Sequence, residues 1–308
     1  MINIISISKK ILNTLTKFRK VQGSVFNRLP TNFLSDRTYL VIQYYLKTGK
    51  KLNLKRPRTF NDKLQWLKLY DQRDFYTQCV DKYKVRSYVK EKIGEAYLVP
   101  LHSVYESVEA IDWKVLPDRF VLKCTHGSQS NIICNNKNEL DIEKAENQLS
   151  HWMKRNWYWY GRAEPYRKIQ PRILCEKYLE EKNSNGGLTD YKFYCFNGKA
   201  AYCQVIRSRG QEETIDFYDR EWNHMPFNGL RPLPTSKIKH SKPEKYEKML
   251  ELVEALAANI PFVRVDLYYV NNNIFFGEMT FYPQSGFGSF YPSEWNEEIG
   301  KMLELPKN

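Results

Sequence analysis

No stretch of this 308-residue chain is apolar for long enough to cross a membrane. The N-terminus has neither a clean hydrophobic run nor a small-residue cleavage site, so the sequence predicts a cytoplasmic protein. Cysteine is sparse and unpatterned. Cys79, Cys124, Cys134, Cys175, Cys195 and Cys203 form no CxxC pair and have no histidine at zinc spacing, which argues against a zinc ribbon and predicts reduced core thiols. The absence of Gly-Lys-Ser and Gly-Lys-Thr excludes a Walker loop. The absence of Asp-x-Asp argues against the metal motif common in sugar-nucleotide transferases. Acid is nearly missing from one end: residues 1–60 carry thirteen Lys and Arg against the single acid Asp36, so almost all of the formal charge of +13 lies there.

What is present suffices for a large core. At 42% hydrophobic residues the chain can build two or three subdomains. Near the N-terminus Ile4, Ile7, Ile11, Leu15 and Phe18 recur at helical spacing, with Lys9, Lys10, Lys17, Arg19 and Lys20 on the polar side. This predicts an amphipathic helix that either lies on the inner face of an anionic membrane through residues 1–20 or packs on its own domain with a solvated basic face. Nucleic acid is not expected, because no recognition motif accompanies the charge. Residues 30–95 read as mostly helical, with Pro30 and Pro57 as punctuation, Thr59 as an N-cap and Leu64, Trp66, Leu67 and Leu69 as core.

The stretch that organises the rest runs from Phe262 to Ser289. Val263–Val270 and Ile274–Met279 are rich in β-branched and aromatic residues and are separated by three asparagines, which predicts a hairpin. Alternation puts Arg264, Asp266 and Tyr268 on one face, and if Glu278 and Thr280 face the same way, two carboxylates meet across the hairpin. Close carboxylates repel unless a cation separates them. A hard divalent ion that shares its shell with phosphate, Mg²⁺, suits the place. The plain alternative is an amphipathic hairpin whose charges face water.

Other short segments carry chemistry only in combination. Asp81-Lys82 opens a charged helical stretch, and Lys123 lies in the strand Phe120–Thr125 ahead of the small-residue loop His126-Gly-Ser-Gln-Ser-Asn131, whose backbone N–H groups can close over a polyphosphate. A helix is expected from Asp141 to Trp157. Then follow an aromatic segment, Trp157–Arg162, and the strand Arg172–Leu179 with its Glu176-Lys177-Tyr178-Leu179 end. Asn197-Gly198 joins two strands as a hairpin, placing Asp190 and Lys192 on one face and Arg207 just beyond the second strand. Lys245–Ala258 is an amphipathic helix that leads into the acidic hairpin.

Taken in order, Asp81-Lys82, Lys123 with its Gly-Ser loop, Glu-Lys-Tyr-Leu, Asp-Tyr-Lys-Phe and Arg-x-Asp…Glu-x-Thr followed by Tyr282-Pro-Gln-Ser-Gly286 closely resemble the TupA-like ATP-grasp family, over roughly residues 30–305. That family is named for teichuronopeptide synthesis and is found among capsule and cell-surface polysaccharide functions. The resemblance implies an α+β ATP-grasp fold in which two α+β subdomains clasp ATP. Its boundaries would be a basic segment 1–29, a helical region 30–99 where the family has an α/β subdomain, a lid 100–180 and a metal-binding subdomain 181–308. It implies catalytic roles for Lys123 and Arg264, and Mg²⁺ on Asp266, Glu278 and Thr280, the last replacing the usual Asn. ATP would meet Lys82, Lys123, His126, Gly127, Ser128, Glu176, Lys177, Tyr178, Leu179, Asp190 and Lys192, and an anionic substrate Arg207, Ser285 and Gly286. The activity implied is ATP-dependent joining of a carboxylate, such as a glycan uronic acid, to an amino acid or other amine. A glycan-precursor kinase, a glycosyltransferase of the same pathway and a non-catalytic scaffold are the alternatives.

Overall fold

The computed structural model describes residues 26, 31–181, 187–207, 212–238 and 240–307. The predicted basic helix at residues 1–20 lies outside them. Four helices open the described chain: α1 (Asp36–Thr48), α2 (Phe60–Tyr70), α3 (Asp74–Val80) and α4 (Val85–Lys92). Thr59 caps α2 as expected, its hydroxyl accepting from the Asp62 N–H at 3.1 Å. Leu64, Trp66 and Leu67 are buried. None of the helices among the described residues is long and apolar enough to cross a membrane.

Next comes a four-stranded antiparallel sheet in the order β1 (Leu101–Tyr105), β4 (Ile173–Lys177), β2 (Phe120–Cys124), β3 (Asn131–Cys134). Alternation divides its faces. Phe120, Leu122 and Cys124 pack with Ala145 and Leu149 of helix α5 in a core of their own, leaving Lys123 on the opposite face. Helix α5 spans Ile142–Met153, shorter than the predicted Asp141–Trp157. Asp141 is its N-cap, and beyond Met153 the backbone turns into the one-turn helix α6 (Tyr158–Gly161).

The larger sheet has the order β10 (Asn273–Thr280), β9 (Phe262–Val270), β5 (Asp190–Phe196), β6 (Lys199–Arg207), β7 (Thr214–Tyr218). Helix α7 (Tyr246–Ala257) buries Met249, Leu252, Val253 and Leu256 against one face. The N-terminal helices cover part of the other, where Phe60 meets Phe196 and Phe262 edge-on. Strands β8 (Asn228–Gly229) and β11 (Phe290–Tyr291) form a small ribbon, and helix α8 (Trp295–Met302) packs on α2. All six cysteines are free and buried, as their scatter predicts.

Two bulges decide which side chains share a face. In the β9–β10 hairpin Phe276 pairs with Leu267, but the next pair is Glu278 with Asp266, so Gly277 is the extra residue. Without that bulge Phe276 and Glu278 would point the same way; with it Phe276 enters the core and Glu278 faces Asp266. A side chain at position 277 would have its Cβ 3.1 Å from the Asp266 carbonyl oxygen, so glycine suits the bulge. In the β5–β6 hairpin the register slips between Tyr194 and Cys195, with Ala201 as the extra residue.

Candidate functional site

The centre of the site is the face of β9–β10 turned away from α7. Arg264 grips Asp266 with both arms of its guanidinium, Nε to Oδ1 at 2.6 Å and Nη2 to Oδ2 at 2.7 Å. The same Nη2 reaches Glu278 Oε1 at 2.9 Å and Thr280 Oγ1 at 3.1 Å. From β5, Lys192 donates to Asp266 Oδ2 and lies 3.5 Å from Asp190 Oδ1. The two carboxylates do meet across the hairpin. The cation that separates them here is the Arg264 guanidinium.

The face of the smaller sheet turned away from α5 supplies the opposite wall. Lys123 Nζ is 2.7 Å from Glu176 Oε2, and Arg86 Nη1 of α4 is 3.2 Å from Oε1 of the same carboxylate. Lys82 joins the two walls: its Nζ donates to the Gly127 carbonyl and lies 3.9 Å from Glu278 Oε2, while its N–H bonds the Thr125 carbonyl at 3.1 Å. Buried Asp81 holds that turn by accepting from the N–H groups of Tyr83 and Lys84 at 2.9 and 3.2 Å. The result is a run of largely alternating charge, Arg86, Glu176, Lys123, Lys82, Glu278, Arg264, Asp266, Lys192, Asp190. Burial pushes the Glu278 carboxyl up, but Lys82, Arg264 and Lys192 outweigh it and bring it down to about 2. Burial pulls the Lys82 ammonium down; Glu278 opposes this and Lys123 adds to it. Burial raises the Asp266 carboxyl against the pull of Arg264 and Lys192.

Residues 62–304 match the family described as TupA-like ATPgrasp. The chain belongs to that family. Its fold is therefore the ATP-grasp fold. Similar solved structures include a D-alanine–D-alanine ligase from Bacillus anthracis complexed with ATP, at 15% identity over 66% of this chain and 53% of that one, TM-score 0.37. The D-alanine–D-alanine ligase from Helicobacter pylori aligns at 14% identity over 82% of this chain and 68% of that one, TM-score 0.42. An N5-carboxyaminoimidazole synthase from Aspergillus clavatus, complexed with ADP and 5-aminoimidazole ribonucleotide, aligns at 12% identity over 67% and 46%, TM-score 0.38. This chain thus spans about half the length of the first and third of these structures. Comparison with curated protein sequences gave no match.

Within this TupA-like chain the other expected site residues divide into those at the site and those away from it. The loop His126–Ser130 lies beside Lys82, but the His126 ring is buried, with Nε2 3.0 Å from the Trp152 carbonyl, and burial lowers its pKa. The His126 ring is thus engaged in the smaller sheet's own packing, whereas Ser128 in the same loop is exposed. Lys177 N–H is taken by the Pro100 carbonyl at 2.9 Å. Tyr178 lies under the Arg119 guanidinium at 4.3 Å. Ser285 and Gly286 follow the hairpin, with their carbonyls turned into α2. Arg207 is a correction. It pairs with Thr214 and shares the α7-covered face with Val205 and Tyr191, so it lies on the opposite side of the sheet from Asp190, Lys192 and Asp266.

Several neighbours have no counterpart in the sequence reading. Arg86 is the second cation on Glu176. Tyr166 and Tyr194 lie beside Arg264 and Asp266, which perturb both phenols, and burial raises both pKa values. A spacing of ninety residues between Arg86 and Glu176, or nearly one hundred between Tyr166 and Arg264, offers no local signal.

The donor set fits a Mg²⁺ ion shared with phosphate, since such ions commonly take one or two carboxylates and leave their other positions to phosphate and water. Glu278 Oε2 is the least committed oxygen of the pair, its nearest cation being Lys82 at 3.9 Å, and Glu278 is ionised throughout the physiological range. An all-protein cage does not fit: among the described residues no group of three His, Cys, Asp or Glu converges.

The loop beside Lys82 yields one direct test. A Cβ on Gly127 would sit 1.8 Å from Trp157 Nε1, so Gly127→Ala must displace either the indole or the loop. We expect ATP affinity to fall about tenfold, the loss of roughly one well-placed hydrogen bond, with a change in indole emission. Equilibrium titration with ATP checks it; unchanged affinity would separate this loop from the nucleotide.

Proposed function

We propose that the protein is an ATP- and Mg²⁺-dependent carboxylate–amine ligase that forms an amide through an acyl phosphate, joining an amino acid or other amine to a uronic acid of a bacterial surface polysaccharide. The observation that supports this most is the convergence of Lys82, Lys123, Arg264 and the acidic hairpin from three separate parts of the chain. In this reaction a substrate carboxylate oxygen attacks the γ-phosphorus of ATP, the bond to the β–γ bridging oxygen breaks and ADP leaves. The amine then adds at the acyl carbon, phosphate departs with the C–O electron pair, and the nitrogen loses a proton to water. No side-chain nucleophile is needed, so the protein's contribution is position and charge.

Lys82 and Lys123 hold phosphate oxygens, and Arg264 stabilises charge that builds on the acyl phosphate and the tetrahedral species. Mg²⁺, held by Asp266, Glu278 and the Thr280 hydroxyl, would offset polyphosphate charge when bound. Asp190 and Lys192 keep Asp266 oriented. The uronic acid and the surface glycan rest on the family resemblance, and the basic residues 1–60 suit a polyanionic partner at the inner membrane face. ADP release should be measured with Mg²⁺, ATP and a panel of uronic acids, with and without a pool of amino acids. Release that requires both partners is expected. Release with the uronic acid alone, leaving a stable phosphorylated sugar, would make the enzyme a kinase, and no release with any pairing would remove the glycan reading.

A further inference from the structure

Among the buried polar residues of helix α2, Asn61, Gln65 and Lys68 follow one another at spacings of four and three residues, which places them on one face of the helix. Buried polar residues in a core helix are costly unless each finds a partner. The donors of all three find acceptors in one loop. Asn61 Nδ2 donates to the Gly288 carbonyl at 2.7 Å. Gln65 Nε2 donates to the carbonyls of Ser285 and Gly286 at 3.1 and 2.8 Å. Lys68 Nζ donates to Ser285 at 2.8 Å and to Gly161 at 2.6 Å, and lies over the Phe287 ring at 4.8 Å.

The contact is close enough to dictate residue types on the far side. A Cβ on Gly286 would lie 2.5 Å from Gln65 Nε2, and one on Gly161 2.6 Å from Ser285 Oγ. Gln284, Ser285 and Gly286 all have positive φ, at 50°, 51° and 66°, a left-handed run that needs such outside support. The loop begins two residues beyond Thr280, the last residue of the acidic hairpin, and Lys68 ties it to the segment that carries Tyr166 towards Arg264.

We infer that Asn61, Gln65 and Lys68 are positioning residues for the substrate carboxylate: they draw the carbonyls of Ser285, Gly286 and Gly288 into α2, and so fix beside the acidic hairpin a loop in which these three carbonyl oxygens are turned inward. Free carbonyls would repel an anionic acceptor; carbonyls committed to α2 do not. The inference rests on the ligase reading for the identity of the substrate, but not for the state of the loop.

Gln65→Met keeps the side-chain volume and removes the donor, so it tests the stripe with little change in packing. Hydrogen exchange of the full-length variant should rise about tenfold in residues 284–288 and stay unchanged in residues 262–280, with ATP affinity within twofold of wild type. With glucuronate as the carboxylate probe and an amino-acid pool as amine, KM for glucuronate should rise about tenfold while kcat is nearly kept. Wild-type exchange at residues 284–288 would overturn the inference. So would parallel changes at residues 262–280 and in ATP affinity, since these would mark a merely structural residue. If the wild-type enzyme does not turn over glucuronate, the uronate reading fails, and the exchange measurement alone decides whether the stripe fixes the loop. Lys68→Met should loosen residues 157–163 together with 284–288, and exchange confined to one segment would remove the proposed tie between them.

Discussion

Glu278→Gln is expected to lower ADP formation about a thousandfold while leaving the fold intact, a loss of the size found when one preorganised electrostatic group is removed from a reacting phosphate or acyl centre. The substitution is nearly isosteric and keeps an acceptor for Arg264, now at 2.9 Å, but removes the charge that faces Lys82. The consequences for ATP and for the metal should differ in sign. A site with one negative charge fewer should bind metal-free ATP at least as well as wild type, while the Mg²⁺ concentration needed for half-maximal turnover rises. Titration with ATP alone, set beside a Mg²⁺ activation curve, separates the two effects. Turnover within tenfold of wild type at ordinary Mg²⁺ would remove Glu278 from the metal assignment.

The same carboxylate has a pH signature. Its folded pKa, about 2, lies below the ordinary 4.5, so it contributes stability that is fully present above about pH 4.5 and is lost as pH falls through about 2. The stability difference between wild type and Glu278→Gln should therefore be constant from pH 5 to 8 and vanish near pH 2. Any change in activity between pH 5 and 8 must come from another group.

The parts of this site that were legible in the sequence are those set by local pattern. Arg264, Asp266, Glu278 and Thr280 fall within seventeen residues, in strands whose alternation can be read directly. Their meeting still depends on Gly277, because strict alternation would send Glu278 to the side of buried Phe276; a glycine inside a strand was the available signal for the bulge. Arg207 shows the opposite outcome. A regular two-residue hairpin at Asn197-Gly198 would put Arg207 on the face of Asp190 and Lys192, and the extra residue Ala201, an alanine with no such signal, moves it to the α7 side. Arg86, Tyr166 and the α2 stripe were illegible for another reason. Their partners come from the packing of distant elements, and Asn61, Gln65 and Lys68 look like the solvated side of an amphipathic helix until the loop that covers them is known.

Arg264→Met should be the most damaging single change, lowering stability by about 3–5 kcal/mol and abolishing turnover, because it leaves two buried or half-buried carboxylates facing each other. Lys192 still neutralises Asp266, and Lys82 is 3.9 Å from Glu278, so the deficit falls on the space between the acids. That space is where a divalent cation gains most. Millimolar Mg²⁺ should therefore raise the melting temperature of Arg264→Met by more than it raises that of wild type, a readout independent of catalysis. Arg264→Lys should distinguish charge from geometry: one ammonium restores much of the stability but cannot contact Asp266 through two nitrogens while also reaching Glu278 and Thr280, so turnover stays low. The double variant Arg264→Met/Asp266→Asn should regain stability over Arg264→Met without regaining activity. If it instead stays as unstable as the single variant, the repulsion between Asp266 and Glu278 is not what Arg264 relieves, and the guanidinium acts mainly as packing between β9 and β10.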